Sequence, residues 1–308
     1  IEERYRKRYV DLIVNPEIKN VFVNKFKIIN SIRDTLNKEN YIEVDTPIVQ
    51  QVYGGANAKP FKTYVNDLKR DAYLRISDEL YLKKLIVGGF DRVYEMSKDF
   101  RNESIDSSHN PEFTMIEYYQ AYADYNDMMK LTEKIISNAN KSVNGKDEAV
   151  FMNNKINFKT PWKVMTMKEA IKHYGKIDID KLSDKELFKL KDKYKLEIKG
   201  PLTRGWVTQL LFEHFAEQNL IQPTFVTEHP RETTPLCKWS RKDNKLIERF
   251  ELFIAGMEIS NGYSELNDPI MQRKLLEEQA KELRAGFEEA NPMDEDFIKA
   301  IEQGMPPT

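Results

Sequence analysis

The stretch from Phe100 to Tyr119, FRNESIDSSHNPEFTMIEYY, gathers residue types suited to holding a charged ligand that carries an aromatic ring. Arg101 offers a planar fork that donates two hydrogen bonds to phosphate or carboxylate oxygens and stays charged at any working pH. Phe113 offers a flat apolar face on which a purine could stack, and Glu117 can accept from an ammonium group. Period-two alternation from Phe113 onward puts Phe113, Met115, Glu117 and Tyr119 on one face of a strand. Residues 92–101 also read as a strand, rich in aromatic and β-branched types. The pair therefore predicts an antiparallel hairpin, with Arg101 ending one arm and a loop that carries His109 and Asn110. Taken singly, each of these residues also fits an ordinary strand pair with surface charges.

A second dense stretch runs from Arg249 to Asp268, RFELFIAGMEISNGYSELND. Ala255-Gly256 predicts a tight connection between two strands, with Glu251 and Glu258 facing one another across it. Neighbouring carboxylates repel unless a cation lies between them. Magnesium suits such a pair, since it takes oxygen ligands and bridges phosphates. An exposed charged hairpin would show the same pattern.

These residues must be positioned by the rest of the chain. Phe22, Phe26, Ile29, Arg33 and Leu36 follow helical spacing, widened by Ile28 and Ile32, and the helix ends near Asn40. A short strand over 41–47 follows and closes on Pro47. The loop over 52–61 holds Gly54-Gly55, which lets a backbone approach a ligand closely. Tyr73–Ile76 reads as a strand, and Ser77 as the N-cap of a helix over 78–87 with Glu79 in its first turn. Asp124/Asp127, Thr166/Glu169 and Ser183/Glu186 look like capping pairs. Residues 140–160 read as polar surface loops, 205–220 as a buried helix and 223–227 as a strand. Two more helices are expected, one from Pro269 to about Gly286 and one opened by Asp294 and ended by Gly304.

The 308 residues suffice for one large core or two smaller ones. Charged residues make up 32% of the chain but balance to a net −2, so no global field draws it onto nucleic acid. Any RNA contact is local, and the basic-aromatic run over residues 3–9 is a candidate for one. The single cysteine, Cys237, excludes an internal disulfide and a cysteine-built zinc site. No apolar run approaches the ~20 residues of a membrane span and no signal peptide is present. A soluble, reducing, cytoplasmic setting without membrane partners is expected.

FRNE followed by HNPEFT resembles motif 2 of the class II aminoacyl-tRNA synthetases, in the form carried by the lysyl enzymes. The helix, strand and Pro47 resemble motif 1, whose role there is dimerisation. The resemblance runs from Arg4 to Thr308 and implies an α+β fold: an antiparallel sheet flanked by helices, working as a homodimer. It implies one catalytic domain over 1–308, with a linker region at 1–17 and a helical insertion at 141–222. It further implies that Arg101 grips the ATP α-phosphate and the substrate carboxylate, that Glu103 reads the adenine edge, and that Phe113 stacks on adenine. His109 and Asn110 would attend the triphosphate and ribose, and Glu251 and Glu258 would hold Mg²⁺. Gly55 and Glu79 would form the amino end of a lysine pocket, with Glu117, Tyr119, Asn261, Tyr263 and Glu265 along the side chain. Glu265 would pair with the ε-ammonium, which favours lysine over aspartate or asparagine.

The implied reaction is attack of the lysine carboxylate on the α-phosphorus of ATP, then transfer of the lysyl group to tRNA(Lys). Two parts of the family pattern find no counterpart in these residues, the N-terminal anticodon-binding barrel and the glycine-rich motif 3 with its γ-phosphate arginine. Impaired activity of the chain ending at Thr308 is therefore expected. Two other readings stand beside this one: a lysyl-ligase paralogue that modifies an elongation factor, and a non-catalytic dimerisation or interaction module.

Overall fold

A computed structural model describes residues 2–106, 109–198, 201–284 and 291–308. Helices α1 (Glu2–Arg6), α2 (Arg8–Val14) and α3 (Lys19–Lys38) lead to β1 (Ile42–Glu43), β2 (Val49–Gln50), β3 (Lys62–Val65) and β4 (Arg70–Leu74). Then follow α4 (Glu79–Val87), β5 (Arg92–Phe100), β6 (Glu112–Gln120) and α5 (Tyr125–Asn144). Next come β7 (Glu148–Phe151), β8 (Asn154–Asn157), β9 (Lys163–Thr166), α6 (Met167–Ala170), α7 (Asp184–Lys193) and α8 (Arg204–Phe215). The chain closes with β10 (Thr224–Pro230), β11 (Leu246–Ile254), β12 (Met257–Tyr263), α9 (Pro269–Arg284) and α10 (Glu295–Glu302). The expected end of α9 near Gly286 lies outside the described residues.

The fold is α+β, as the sequence predicts. Two sheets carry it, ordered β1-β5-β6 and β12-β11-β10-β9. The β5–β6 and β10–β11–β12 ladders are antiparallel, whereas β1 and β9 join their sheets in parallel. A smaller sheet, β2-β4-β3, sits beside them. Helix α5 opens with the expected box, Asp124 accepting from the N3 backbone while Asp127 accepts from the N-cap N–H, and ends at left-handed Gly145. The Thr166/Glu169 and Ser183/Glu186 boxes form as well. Each satisfies N–H groups that a helix start leaves without a partner.

Residues 140–160 depart from the expected loops. They contain the β7–β8 hairpin, turned at Met152 and Asn153, both with positive φ. The 141–222 segment thus contributes strands as well as helices, and β9 extends the second sheet. Its helices form a core of Met167, Ile171, Leu187, Leu211 and Phe212 against Val226 and Phe253. Helix α3 carries the expected apolar stripe, but only its C-terminal end is covered. Leu36 is fully buried, whereas Phe22 and Phe26 are 48% and 63% exposed. No helix among the described residues is long and apolar enough to cross a membrane.

Candidate active site

A cavity of about 660 Å³ opens between β6 and β12. Gly55, Glu79, Arg101, Glu117, Tyr119, Glu258, Asn261, Tyr263 and Glu265 all line it. Nine of the residues singled out from sequence, drawn from four distant stretches, therefore share one wall system. Glu103, His109, Asn110, Phe113 and Glu251 lie off that wall.

The register of β5 against β6 builds one end. Glu95 pairs with Glu117, Ser97 with Met115 and Asp99 with Phe113, so these side chains share a face. Arg75, buried beneath them, contacts Glu95 at 2.6 Å, Asp78 at 3.0 Å and Asp99 at 3.2 Å. Asp78, Asp99 and Glu117 form the one three-acid cluster close enough to share an ion among the described residues. Burial, then the charge of Asp99, pushes the Asp78 carboxyl up to about 7. Burial lifts Asp99 to about 6 against the pull of Arg75 and Arg101. Glu117 is raised by burial, then by Asp78 and Glu79. It accepts from Ser77 Oγ at 2.6 Å and from Tyr119 OH at 3.0 Å. Among the described residues it has no cationic partner.

The N-cap of α4 is Asp78, one residue after the expected Ser77, and makes no side-chain cap bond; Ser77 Oγ accepts from the Glu79 N–H at 3.1 Å. Gly55, at φ +88°, presses against this helix start. A Cβ there would lie 2.8 Å from Ser77 Oγ and 2.9 Å from Glu79 Cβ. Glu79 accepts from Tyr263 OH at 2.8 Å and from Lys83 Nζ at 2.5 Å. The Lys83 ammonium also pairs with Glu265. Glu265, which the resemblance assigns to the ε-ammonium, thus lines the cavity while also meeting Lys83, and burial pushes its carboxyl up to about 8 against the pull of that ammonium. Sequence reasoning missed Lys83 and Arg75. Only the Glu79–Lys83 spacing of four on a helix hinted at this ion cluster.

The guanidinium of Arg101 lies 5.2 Å from the Phe113 ring centroid, and its Nε donates to the Ile76 carbonyl at 3.3 Å. Glu103 is exposed and accepts from the Lys59 N–H at 3.2 Å, tying the Gly54-Gly55 loop to the hairpin loop. His109 is exposed, with Nδ1 2.8 Å from Asp106. Asn110 donates to the Glu112 carbonyl at 2.6 Å.

Glu251 and Glu258 are not ladder partners. Glu251 pairs with Asn261 and Glu258 with Phe253, across a bulge at Ile259. The extra residue returns Glu258 to the face of Glu251 and Asn261. Glu258 is exposed at its surface, yet desolvation by its neighbours, then the charge of Glu251, raises its carboxyl, while Asn261 Nδ2 donates to it at 3.0 Å. Arg249 holds Glu251 at 2.7 Å. His229 beside it is kept neutral, its pKa lowered to about 3 by burial and by Arg249. Two like charges on one face, only partly compensated, with a hard-oxygen donor set, fit a divalent cation such as magnesium.

Arg101 and the buried acids share this cavity's surroundings, and the family of the chain is shown along its whole length: residues 1–308 match the class II tRNA synthetases (D, K and N), to which the chain belongs. Similar curated proteins include the lysine–tRNA ligases of Clostridium novyi, 50% identical over 99% of this chain, and of Methanospirillum hungatei, 51% identical over 100% of it. That of Saccharolobus solfataricus is 49% identical over 100% of the chain. The chain spans 61%, 61% and 62% of those three relatives.

Proposed function

We propose that this chain is the amino-acid-activating core of a lysine–tRNA ligase, joining L-lysine to ATP as lysyl-adenylate and passing the lysyl group to tRNA(Lys). The observation that carries the reading is Glu117, a cavity-lining carboxylate held by Ser77 and Tyr119 with no cationic partner among the described residues. A substrate ammonium supplies the missing charge, and only a substrate carrying that charge gains from the contact. Glu79 at the start of α4 receives the α-amino group. Arg101, on the cavity wall, orients the lysine carboxylate and the α-phosphate for in-line attack. No protein nucleophile takes part, so the catalytic contribution is orientation and charge stabilisation. Phe113 and the exposed Glu103, His109 and Asn110 offer the stacking face and polar contacts for the nucleotide. Glu251 and Glu258 would hold Mg²⁺, which supplies charge neutralisation to the phosphates when bound.

Identity to lysine–tRNA ligases along the whole chain favours tRNA charging over modification of an elongation factor. The uncovered N-terminal half of the α3 stripe supports the homodimer, and α1, with Arg4 and Arg6 in its last turn, supports a local RNA contact. Lysine-dependent exchange of pyrophosphate into ATP tests the activity, with Arg101→Ala as the blank. Exchange that ignores lysine, or that survives in Arg101→Ala, contradicts the assignment.

A further inference from the structure

The glycine loop over 52–61 is anchored on both sides of its tip. Tyr53 and Ala58 are buried with Ile76, and Tyr53 meets the Tyr73 ring edge-on at 5.0 Å. The Lys59 carbonyl accepts from the Asn102 N–H at 2.7 Å. Between these anchors, residues 54–57 take part in no backbone–backbone hydrogen bond among the described residues. Nothing in the backbone of the tip therefore holds it over the cavity.

A side chain from outside the loop does. Asn291, 3% exposed, stands on the cavity wall shortly before α10. Its Nδ2 donates to Asn57 Oδ1 at 3.2 Å, across 234 positions of sequence. Packing sets its place, since Phe297, Ile298 and Ile301 of α10 form one core cluster with Leu80 of α4. Leu80 and Asn291 together seat Gly54, where an added Cβ would lie 2.8 Å from Leu80 Cδ1 and 3.6 Å from Asn291 Oδ1. That oxygen is buried without a hydrogen-bond partner among the described residues. The amide thus gives its donor to the loop while its acceptor stays unpaired, which offsets much of what the bond contributes.

We propose that Asn291 is a positioning residue that latches the glycine loop through Asn57, holding Gly54-Gly55 over the cavity before any ligand arrives. One bond to an exposed side chain, offset by an orphaned oxygen, favours the closed loop only narrowly. The latch therefore sets a population of closed loops. Closure brings Gly55 onto Ser77 and Glu79, so the closed fraction scales the affinity for whatever fills the cavity. The consequence for L-lysine rests on the function proposed above, whereas the latch itself does not.

The test is hydrogen–deuterium exchange of the loop in the ligand-free protein, read beside L-lysine calorimetry. The variants are Asn57→Ala, Asn291→Ala, both together, and Asn57→Asp. Asn57 is exposed, so Asn57→Ala removes the latch without opening the core. Each alanine variant is expected to exchange about two- to tenfold faster over 52–61, the range set by one net hydrogen bond, with α4 and β6 unchanged. The double variant should match the single ones, because all three lose the same bond. Asn57→Asp keeps an acceptor for Asn291 Nδ2 and should exchange at the wild-type rate. Lysine affinity should fall in the alanine variants, by no more than the factor seen in exchange. Unchanged loop exchange in Asn57→Ala, acceleration spread over the whole chain, or additive effects in the double variant overturns the latch. Faster loop exchange with undiminished lysine affinity overturns its positioning role. Failure of the wild type to bind lysine overturns the lysine reading, and the ligand-free exchange then judges the latch by itself.

Discussion

At the scale of single residues, the site is a problem of buried charge. Arg75 contacts Asp78, Glu95 and Asp99, Lys83 contacts Glu79 and Glu265, and Glu117, with no cationic partner among the described residues, is the acid proposed for the ligand. Glu117→Gln should fold and should weaken L-lysine binding by about 3 kcal/mol, roughly a hundredfold, as measured by calorimetry. Affinity within threefold of the wild type would remove Glu117 from the pocket. The same residues make stability depend on pH. Asp78, Asp99 and Glu117 have folded values above their unfolded ones, so the fold binds more protons than the unfolded chain. Their contribution is full near pH 4 and is lost as pH rises through about 6 for Asp99 and about 7 for Asp78. Carboxyls held low, such as Glu43 and Glu248, titrate below that window. Buried His229, neutral in the fold, acts the other way until its unfolded form also loses its proton near 6.5, so the ligand-free protein should melt at progressively lower temperature from about pH 6.5 to 7.5, with lysine restoring most at the upper end. A melting temperature that climbs over this range would contradict the assignment of these three acids.

At the scale of elements, α4 and its approach decide the pocket. Ser77 bonds both the Glu79 N–H and the Glu117 carboxylate, Glu79 opens the helix, and Gly55 packs on Ser77 and Glu79 at a positive φ. Gly55→Ala should displace this helix start and weaken lysine binding about tenfold or more, since left-handed backbone and a 2.8 Å contact oppose the methyl group. Unaltered affinity with an unshifted α4 would show that the approach is not needed. Elements bounded by local chemistry were legible in the sequence. The three capping pairs depend on residues three apart, and the Ala255-Gly256 turn on two adjacent ones. The β7–β8 hairpin escaped because its turn uses Met152 and Asn153 where a glycine would have signalled it. The bulge at Ile259 escaped too, since nothing in that residue's type marks an inserted position.

At the scale of the molecule, the pocket is assembled by register across long separations, which explains what the sequence could and could not show. Tyr263 reaches Glu79 and Glu265 reaches Lys83 across most of the chain. Resemblance to a family named the wall residues, but the internal ion pairs appear only when the elements are packed. The exposed apolar side chains of α2 and α3, among them Ile13, Phe22, Val23 and Phe26, form the surface proposed for the homodimer. Sedimentation should give a dimer that Phe26→Glu converts to monomer, and a monomeric wild type would contradict the assignment. The central claim is that the cavity recognises a side-chain ammonium, and comparing L-lysine with L-norleucine by calorimetry tests it most directly. Norleucine has the same carbon chain without the amine, so Glu117 would meet a methyl group and stay uncompensated. The account predicts that lysine binds and that norleucine binds at least about a hundredfold more weakly. Norleucine binding within a few-fold of lysine would contradict it.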